Sequence, residues 1–310
     1  MVNKRKIKRV LMGSYARMGI LEKIFLYLIL IAISFVFLYP LLQMLVTSFM
    51  GLEDLVDPSK IWIPSKIVFS NYTKAAQALS LWKSLKDSLL VSLIPSLCVV
   101  VSASLIGYGF ARHAFPLKKF WFATVIVVFL LPTVLTSIPT YVTYNKLHML
   151  NSLKAFTVPA IVGFGLRESI FILIFYLFFK EIPNELFESA QMDGASSLRI
   201  FFKISIPLTV SAFLMTFLYS FVWYWNETSL GVRYLQGTYN TLPMAVQNFK
   251  KLYETLFPSG SVGLEGASET FNLGVQFAGT ILSILPLLVV YFFTQKWFVE
   301  SVDRSGIAGQ

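Results

Sequence analysis

The chain has 310 residues, 56% of them apolar and 16% aromatic, with only 14% charged and a mean hydropathy of +0.68. A soluble domain carries roughly a quarter charged residues, so the composition excludes a soluble globular enzyme and predicts an integral membrane protein with a single membrane domain. The net charge of +10 would suggest nucleic acid in a polar chain. In one this apolar it predicts basic flanks that orient membrane helices.

Residues 1–23 form a basic segment with seven Lys/Arg: Lys4, Arg5, Lys6, Lys8, Arg9, Arg17 and Lys23. Residues 24–50 then run without a charge. The apolar core of a secretory signal is only ~7–15 residues long, whereas a span needs ~20. The run therefore predicts an uncleaved first transmembrane helix, kinked at Pro40 because a helix-interior proline removes a hydrogen bond. Residues 51–87 are polar and mixed and predict an external loop with a short surface helix around Tyr72–Leu81.

The core, 88–298, contains five further apolar runs. They cover 88–111, 120–145, 155–179, 204–226 and 271–295, and residues 299–310 form a tail. Pro132 and Pro139 lie inside the third span, and Arg167-Glu168 interrupts the fourth. Small residues (Ser102, Ala103, Ser104, Gly107 and Gly109, then Gly163 and Gly165) offer surfaces for close helix approach. Six spans put both termini on one face. That face, with the 112–119 turn and the 180–207 loop, holds 15 Lys/Arg against ten on the other. The positive-inside rule makes it cytoplasmic.

A lone cysteine, Cys98, excludes an intrachain disulfide and a cysteine-based metal site. Only two histidines, His113 and His148, occur, far apart. No G-x-x-x-x-G-K-[ST] phosphate loop and no catalytic constellation are present.

Between the fourth and fifth spans lies KEIPNELFESAQMDGASSLRIFFKISIPL, residues 180–208. Its pattern predicts two short helices joined at Asp193-Gly194. Pro183 suits a first helical turn, Glu185 and Glu188 favour the positive end of the helix, and Leu186, Phe187 and Ala190 share one face. Gly194 can end the first helix and Asp193 can cap the second. Leu198, Phe201 and Phe202 make the next apolar face, and Pro207 marks the break before the fifth span.

The order Glu188-Ser189-Ala190, Asp193-Gly194-Ala195, then Phe201, Ile204, Ile206 and Pro207 resembles the E-A-A signature of ABC-importer permeases. Ser189 stands where that family usually has alanine. The 107–112 stretch resembles the ending of that family's second span, and Trp225-Asn226-Glu227 and the end Ser305-Gly306-Ile307-Ala308-Gly309 resemble its carbohydrate (maltose/oligosaccharide-type) branch. The resemblance implies an all-α membrane protein of six transmembrane helices with the type I ABC importer permease fold and a cytoplasmic coupling-helix loop. It implies a bacterial cell membrane location, and as partners a second homologous permease, two copies of an ABC ATPase, an extracytoplasmic solute-binding protein and a carbohydrate substrate. No cofactor would be bound by this chain, ATP and Mg belonging to the ATPase, so the chain would be a non-catalytic subunit.

By the same resemblance Glu188 and Asp193 would make polar docking contacts with the ATPase. Ser189, Ala190, Gly194 and Ala195 would sit in the docking surface, the small ones allowing close approach. Phe201 would brace the loop against the spans, and Pro207 would close it. A charge inside a span costs ~2.5–3.5 kcal/mol, so Arg167 and Glu168 are expected to face the translocation path or a partner. Trp225, Asn226 and Glu227 are further substrate-path candidates, or an interfacial anchor. An amino acid, polyamine or phosphate importer on the same fold, or a secondary transporter, are the alternatives.

Overall fold

A computed structural model describes residues 19–258 and 270–307, with the side chains after Lys296 left aside. Most of the basic N-terminal segment, the Gly-rich part of the 227–270 loop and the Ala308-Gly309 end of the tail lie outside the described residues. All regular structure among the described residues is helical. The chain divides into two units.

The first unit takes the described residues up to Ala75, Phe257-Pro258 and those from Thr270 to Ile281. Helix α1, Ile20–Ser48, is apolar and exposed along nearly its whole length, as a lipid-facing helix must be. It remains one helix through Pro40. Short α2, Leu52–Val56, follows, and then α3, Ser70–Ala78, close to the expected surface helix. The Asn71 amide donates to the carbonyls of Ser48 and Met50, each at 2.9 Å, and so closes the loop onto the end of α1. A Cβ on Gly274 would lie 2.7 Å from that amide nitrogen, which leaves room only for glycine.

The second unit is built on α4, Leu81–Arg112. Against it pack α7, Lys154–Ile161, α8, Glu168–Glu181, and α11, Val210–Asn226. Small and hydroxyl side chains make this possible. Ser84, Ser88, Ser92 and Ser96 are fully buried on one stripe, and each returns its hydroxyl to a carbonyl four or five residues back. No polar hydrogen is then left to face apolar surroundings. Gly107 lets the backbones of α4 and α8 touch: a Cβ there would stand 2.6 Å from Phe175 Cβ and 3.0 Å from the Ile172 oxygen. Phe175, Phe179, Phe201 and Phe213 fill the core beside it.

Among the described residues, three helices are long and apolar enough to cross a membrane: Ile20–Ser48, Leu81–Arg112 and Leu273–Lys296, the last being the first part of α12, Leu273–Ile307. The count rises to five if two bent pairs are each one span. The first pair is α5, Lys118–Leu130, with α6, Thr133–Lys146, bent by 104°. Pro132 disfavours helical geometry at the residue before it, and Leu131 is extended at ψ 125°. The second pair is α10, Ser197–Leu208, with α11, bent by 79°. Here Pro207 has no N–H to give, and Phe201–Ser205 relaxes into a π-type turn.

The fourth apolar run is not a continuous helix. It is α7 and α8 with an irregular link at 162–167, where Gly163 (φ +84°) and Arg167 (φ +52°) are left-handed. Arg167 therefore sits in a break, not on a helix face.

Candidate functional site: a cavity at two helix breaks and an amphipathic hairpin

The links at 131–132 and 162–167 meet at one cavity of about 510 Å³. Irregular backbone at membrane depth survives only where protein or water satisfies its polar groups. In the 162–167 link, side chains and backbone do this. Phe164 N–H donates to the Pro159 carbonyl at 2.8 Å and Leu166 N–H to the Tyr224 hydroxyl at 2.9 Å. Gly165 N–H donates to Glu168 Oε2 at 2.6 Å. Ser102 of α4 donates to Glu168 Oε1 and lies 2.5 Å from the Ala160 carbonyl. Glu168 is 1% exposed, and both of its oxygens are used to hold the break. Gly165 is required for this approach, since a Cβ would stand 2.7 Å from Glu168 Oε2 and 2.9 Å from the Tyr224 oxygen.

Arg167 takes the opposite direction. Its left-handed backbone turns the side chain outward, and the guanidinium lies over the Trp223 ring, 5.1 Å from the centroid. It is exposed at the cavity and makes no ion pair among the described residues. The two adjacent charges thus do not pair with each other. Glu168 anchors the backbone, and Arg167 presents a cation to the cavity.

On the facing wall, α6 carries Thr133, Thr136, Ser137 and Thr140 into the lining. This i, i+3, i+4, i+7 spacing is one helix face. Tyr144, Tyr234 and Tyr224 close the cavity on the protein side. The remaining sequence candidates stand elsewhere. Trp225 is buried with Phe221 and Leu242. The Asn226 amide donates to the Val222 carbonyl at 2.9 Å, and Glu227 accepts from Leu230 N–H at 2.9 Å. None of the three lines the cavity. Trp223 and Tyr224, two and one residues before Trp225 on α11, do.

In the 180–207 loop, α9, Asn184–Met192, ends as the glycine predicts. Gly194 is left-handed at φ +77°, its N–H donates to Gln191, and Ala195 N–H donates to Ala190, both at 2.9 Å. These are the two bonds of a Schellman end. The cap of α10 is Ser196 and not Asp193: its hydroxyl accepts from Arg199 N–H at 3.4 Å. Asp193 closes α9 instead, with its own N–H on Ser189. Phe187, Ile200 and Phe201 are buried, while Leu186, Met192, Leu198 and Phe202 are exposed beside Glu185, Glu188, Ser189 and Asp193. Phe201 packs on Tyr108 of α4 and Phe179 of α8, at 4.9 and 6.0 Å. Ala190 and Ala195 are half-buried, and Pro207 is exposed.

Arg112 ties this hairpin to the spans. It donates to Asn184 Oδ1 at 2.6 Å and to the carbonyls of Phe179 and Ile182. Among the described residues no group of His, Cys, Asp or Glu could hold a metal.

Broken apolar helices around a cavity with polar groups in its wall, with an amphipathic hairpin beside them, define a multi-pass membrane transport component. The chain belongs to the family of binding-protein-dependent transport system inner membrane components, whose family model matches residues 103–304. It is 28% identical over 296 residues to a polygalacturonan/rhamnogalacturonan transport system permease protein of Bacillus subtilis, covering 92% of this chain and 97% of that one. It is 27% identical over 255 residues to a melibiose/raffinose/stachyose import permease protein of the same organism, covering 82% and 86%. A probable ABC transporter permease protein of Pyrococcus horikoshii is 27% identical over 273 residues, covering 87% and 92%. A chain in the crystal structure of a bacterial ABC transporter involved in the import of the acidic polysaccharide alginate shares the fold. Its TM-score is 0.72 at 19% identity, with 89% of this chain and 96% of that one covered.

Proposed function

We propose that this chain is the membrane-spanning subunit of an ATP-driven, binding-protein-dependent importer of sugars or oligosaccharides. It spans the membrane six times, the bent pairs and the α7–α8 pair each counting once, with both termini in the cytoplasm. It forms half of the translocation pathway, and a second permease supplies the other half. An extracytoplasmic binding protein delivers the solute. The observation that carries the reading is the cavity at the two helix breaks, because transport sites are built where discontinuous helices expose polar groups at membrane depth. Family membership and the carbohydrate-transport names of the relatives support the solute class.

The 180–207 hairpin is the coupling element. Its exposed Leu186, Met192 and Leu198 offer an apolar docking face edged by Glu188 and Asp193. Two ATPase subunits bind there and hydrolyse ATP with Mg on their own residues, so this chain is not itself catalytic. Their closure moves the hairpin, and Phe201 and Arg112 carry that motion into α4 and α8.

The test is reconstitution. The tagged chain, co-expressed with its second permease, ATPase and binding protein, should co-purify with them and take up radiolabelled oligosaccharide into proteoliposomes only with ATP. Uptake by the chain alone without ATP would move the reading to a secondary transporter.

A further inference from the structure

The cavity lining is selective in the polar groups it offers. It holds one cation, Arg167, one carboxylate, Glu168, an indole, Trp223, and hydroxyls from Thr133, Thr136, Ser137 and Thr140, together with Ser169 and three tyrosines. Among the described residues that line it there is no Asn, Gln, Asp, His or Lys. Neutral sugars present many O–H donors, and amides or carboxylates that accept them are the ordinary means of holding such donors. The only carboxylate here is already engaged, Glu168 being taken by Ser102 and Gly165 N–H in the buried link. The free polar group of greatest strength is a guanidinium, which has five donors and no acceptor.

A guanidinium is always charged, and at membrane depth such a charge faces a water-filled cavity or pairs with an anion or backbone carbonyls. Arg167 has no ion-pair partner among the described residues and is held only by the face of Trp223. That stacking fixes the planar fork while leaving its edge open, which is the geometry for a two-point bond to a carboxylate. The same indole is half-buried and braced by Phe171 and Tyr219.

We infer that the solute passing this cavity is an acidic glycan, a uronic-acid oligosaccharide whose carboxylate is received by Arg167 over Trp223. This rests on the sugar-importer reading above and adds the charge of the sugar. A hydroxyl stripe three and four residues apart on α6 then faces the sugar hydroxyls, and Glu168 orients Arg167 through the backbone of the link without touching the solute.

The experiment uses the whole transporter, with both permeases, the ATPase and the binding protein, in proteoliposomes. The probes are trigalacturonate and the neutral galactose trisaccharide of the same linkage. The wild-type complex should take up trigalacturonate in an ATP-dependent manner at least about tenfold faster than the neutral trisaccharide. Arg167→Gln should lose at least about tenfold of that uptake with the four components still co-purifying, and Arg167→Lys, which keeps the charge without the fork, should restore part of it. Equal or faster uptake of the neutral trisaccharide would overturn the acidic assignment and leave the sugar-importer reading standing. So would unchanged trigalacturonate uptake in Arg167→Gln. Loss of the second permease from the Arg167→Gln complex would also overturn it, because the cation would then be serving a subunit contact. Absence of ATP-dependent uptake of either glycan by the wild-type complex would overturn this inference too, whereas uptake without ATP would sink the importer reading with it.

Discussion

The guanidinium carbon of Arg112, the last residue of α4, lies 4.0 Å from the ring centroid of Phe187 in α9. The same side chain bonds Asn184 and the carbonyls of Phe179 and Ile182 at the end of α8. One residue therefore joins a long span, the C-terminus of a second helix and the first helix of the hairpin. Cations are favoured at helix C-termini, where carbonyls lack partners. A hairpin held this way moves with the spans and does not swing freely.

Replacing Arg112 by alanine should uncouple transport. Hydrogen bonds from charged groups contribute about 1.5–3 kcal/mol, and the ring contact adds about 0.5–2 kcal/mol. ATP-driven uptake should fall at least about tenfold while ATP hydrolysis by the docked ATPases persists. Arg112→Lys should restore little, because an ammonium cannot reach three acceptors in a fork and stack at once. Uptake and hydrolysis falling together in proportion would point to lost assembly instead.

The Glu168 carboxylate predicts a stability effect. Removing it in Glu168→Ala leaves the Gly165 N–H without its acceptor, at a cost of about 1–3 kcal/mol for a buried donor, while the Ser102 hydroxyl can turn to the Ala160 carbonyl. The purified complex should melt several degrees lower. Glu168→Gln keeps the shape and one acceptor oxygen, and should lose less. Equal melting of both variants would show that the link is not held by this side chain.

The long apolar runs and the hairpin were legible because periodicity and turn residues are local. The α9–α10 turn at Gly194 and the surface helix of α3 follow from that kind of signal. The break at 162–167 was not legible in the same way. Residues 155–179 average as apolar, and an unbroken helix is the simplest reading of such a run. Gly163 and Gly165 lie inside the break, and from the sequence they suit helix packing equally well. The partners that explain Glu168 lie 66 residues away at Ser102, and the Leu166 bond reaches 58 residues to Tyr224, so no local pattern announces them. Trp225 drew attention over Trp223 through its neighbours Asn226 and Glu227. On a helix two residues amount to about 200° of rotation, and this is what separates a cavity wall from a buried cluster. The hydroxyl stripe of α6 was visible as a spacing, and a search for polar periodicity inside apolar runs would have found it.

Gly107 and Gly109 make a paired test of helix contact on α4. Gly107→Ala would put a Cβ 2.6 Å from Phe175 Cβ and 3.0 Å from two backbone atoms of α8. The backbone cannot move aside without parting the helices, so a cost of about 1–3 kcal/mol is expected. Gly109 has nothing within 4 Å of its added Cβ. Gly109→Ala should be neutral or stabilise by up to about 1 kcal/mol through helix propensity. Thermal melting of the two variants side by side decides it.

Gly194 presents the opposite case. No atom lies within 4 Å of its added Cβ, yet its φ is +77°. Gly194→Ala should cost about 1–2 kcal/mol from backbone conformation alone, loosening the Schellman end without a steric clash. Gly194→Asn should recover part of the loss, since asparagine tolerates this conformation. The reading is the ratio of solute carried to ATP hydrolysed: alanine should lower it and asparagine should partly restore it. If the alanine variant kept the wild-type ratio, the shape of this turn would not matter for coupling.

Asp54 carries a pH dependence into the loop after α1. Its oxygens accept the Ser65 hydroxyl at 2.6 Å and the Ser65 N–H at 2.9 Å, and Lys60 lies at 3.4 Å. Bonding from Ser65, helped by Lys60, holds the carboxyl below the usual aspartate range. A carboxyl whose pKa is lowered by folding stabilises the loop fully above the unfolded value of about 3.9. That contribution is lost as the pH falls through the lower folded value. Amide exchange over residues 54–65 should therefore be slow and constant from neutral pH down to about 5 once corrected for intrinsic rates, and should quicken only below about 4. Asp54→Asn keeps the shape but removes the charge, so its exchange should be faster at neutral pH and show no such acid step. A wild-type loop that loosens near pH 6 would point to a different titrating group.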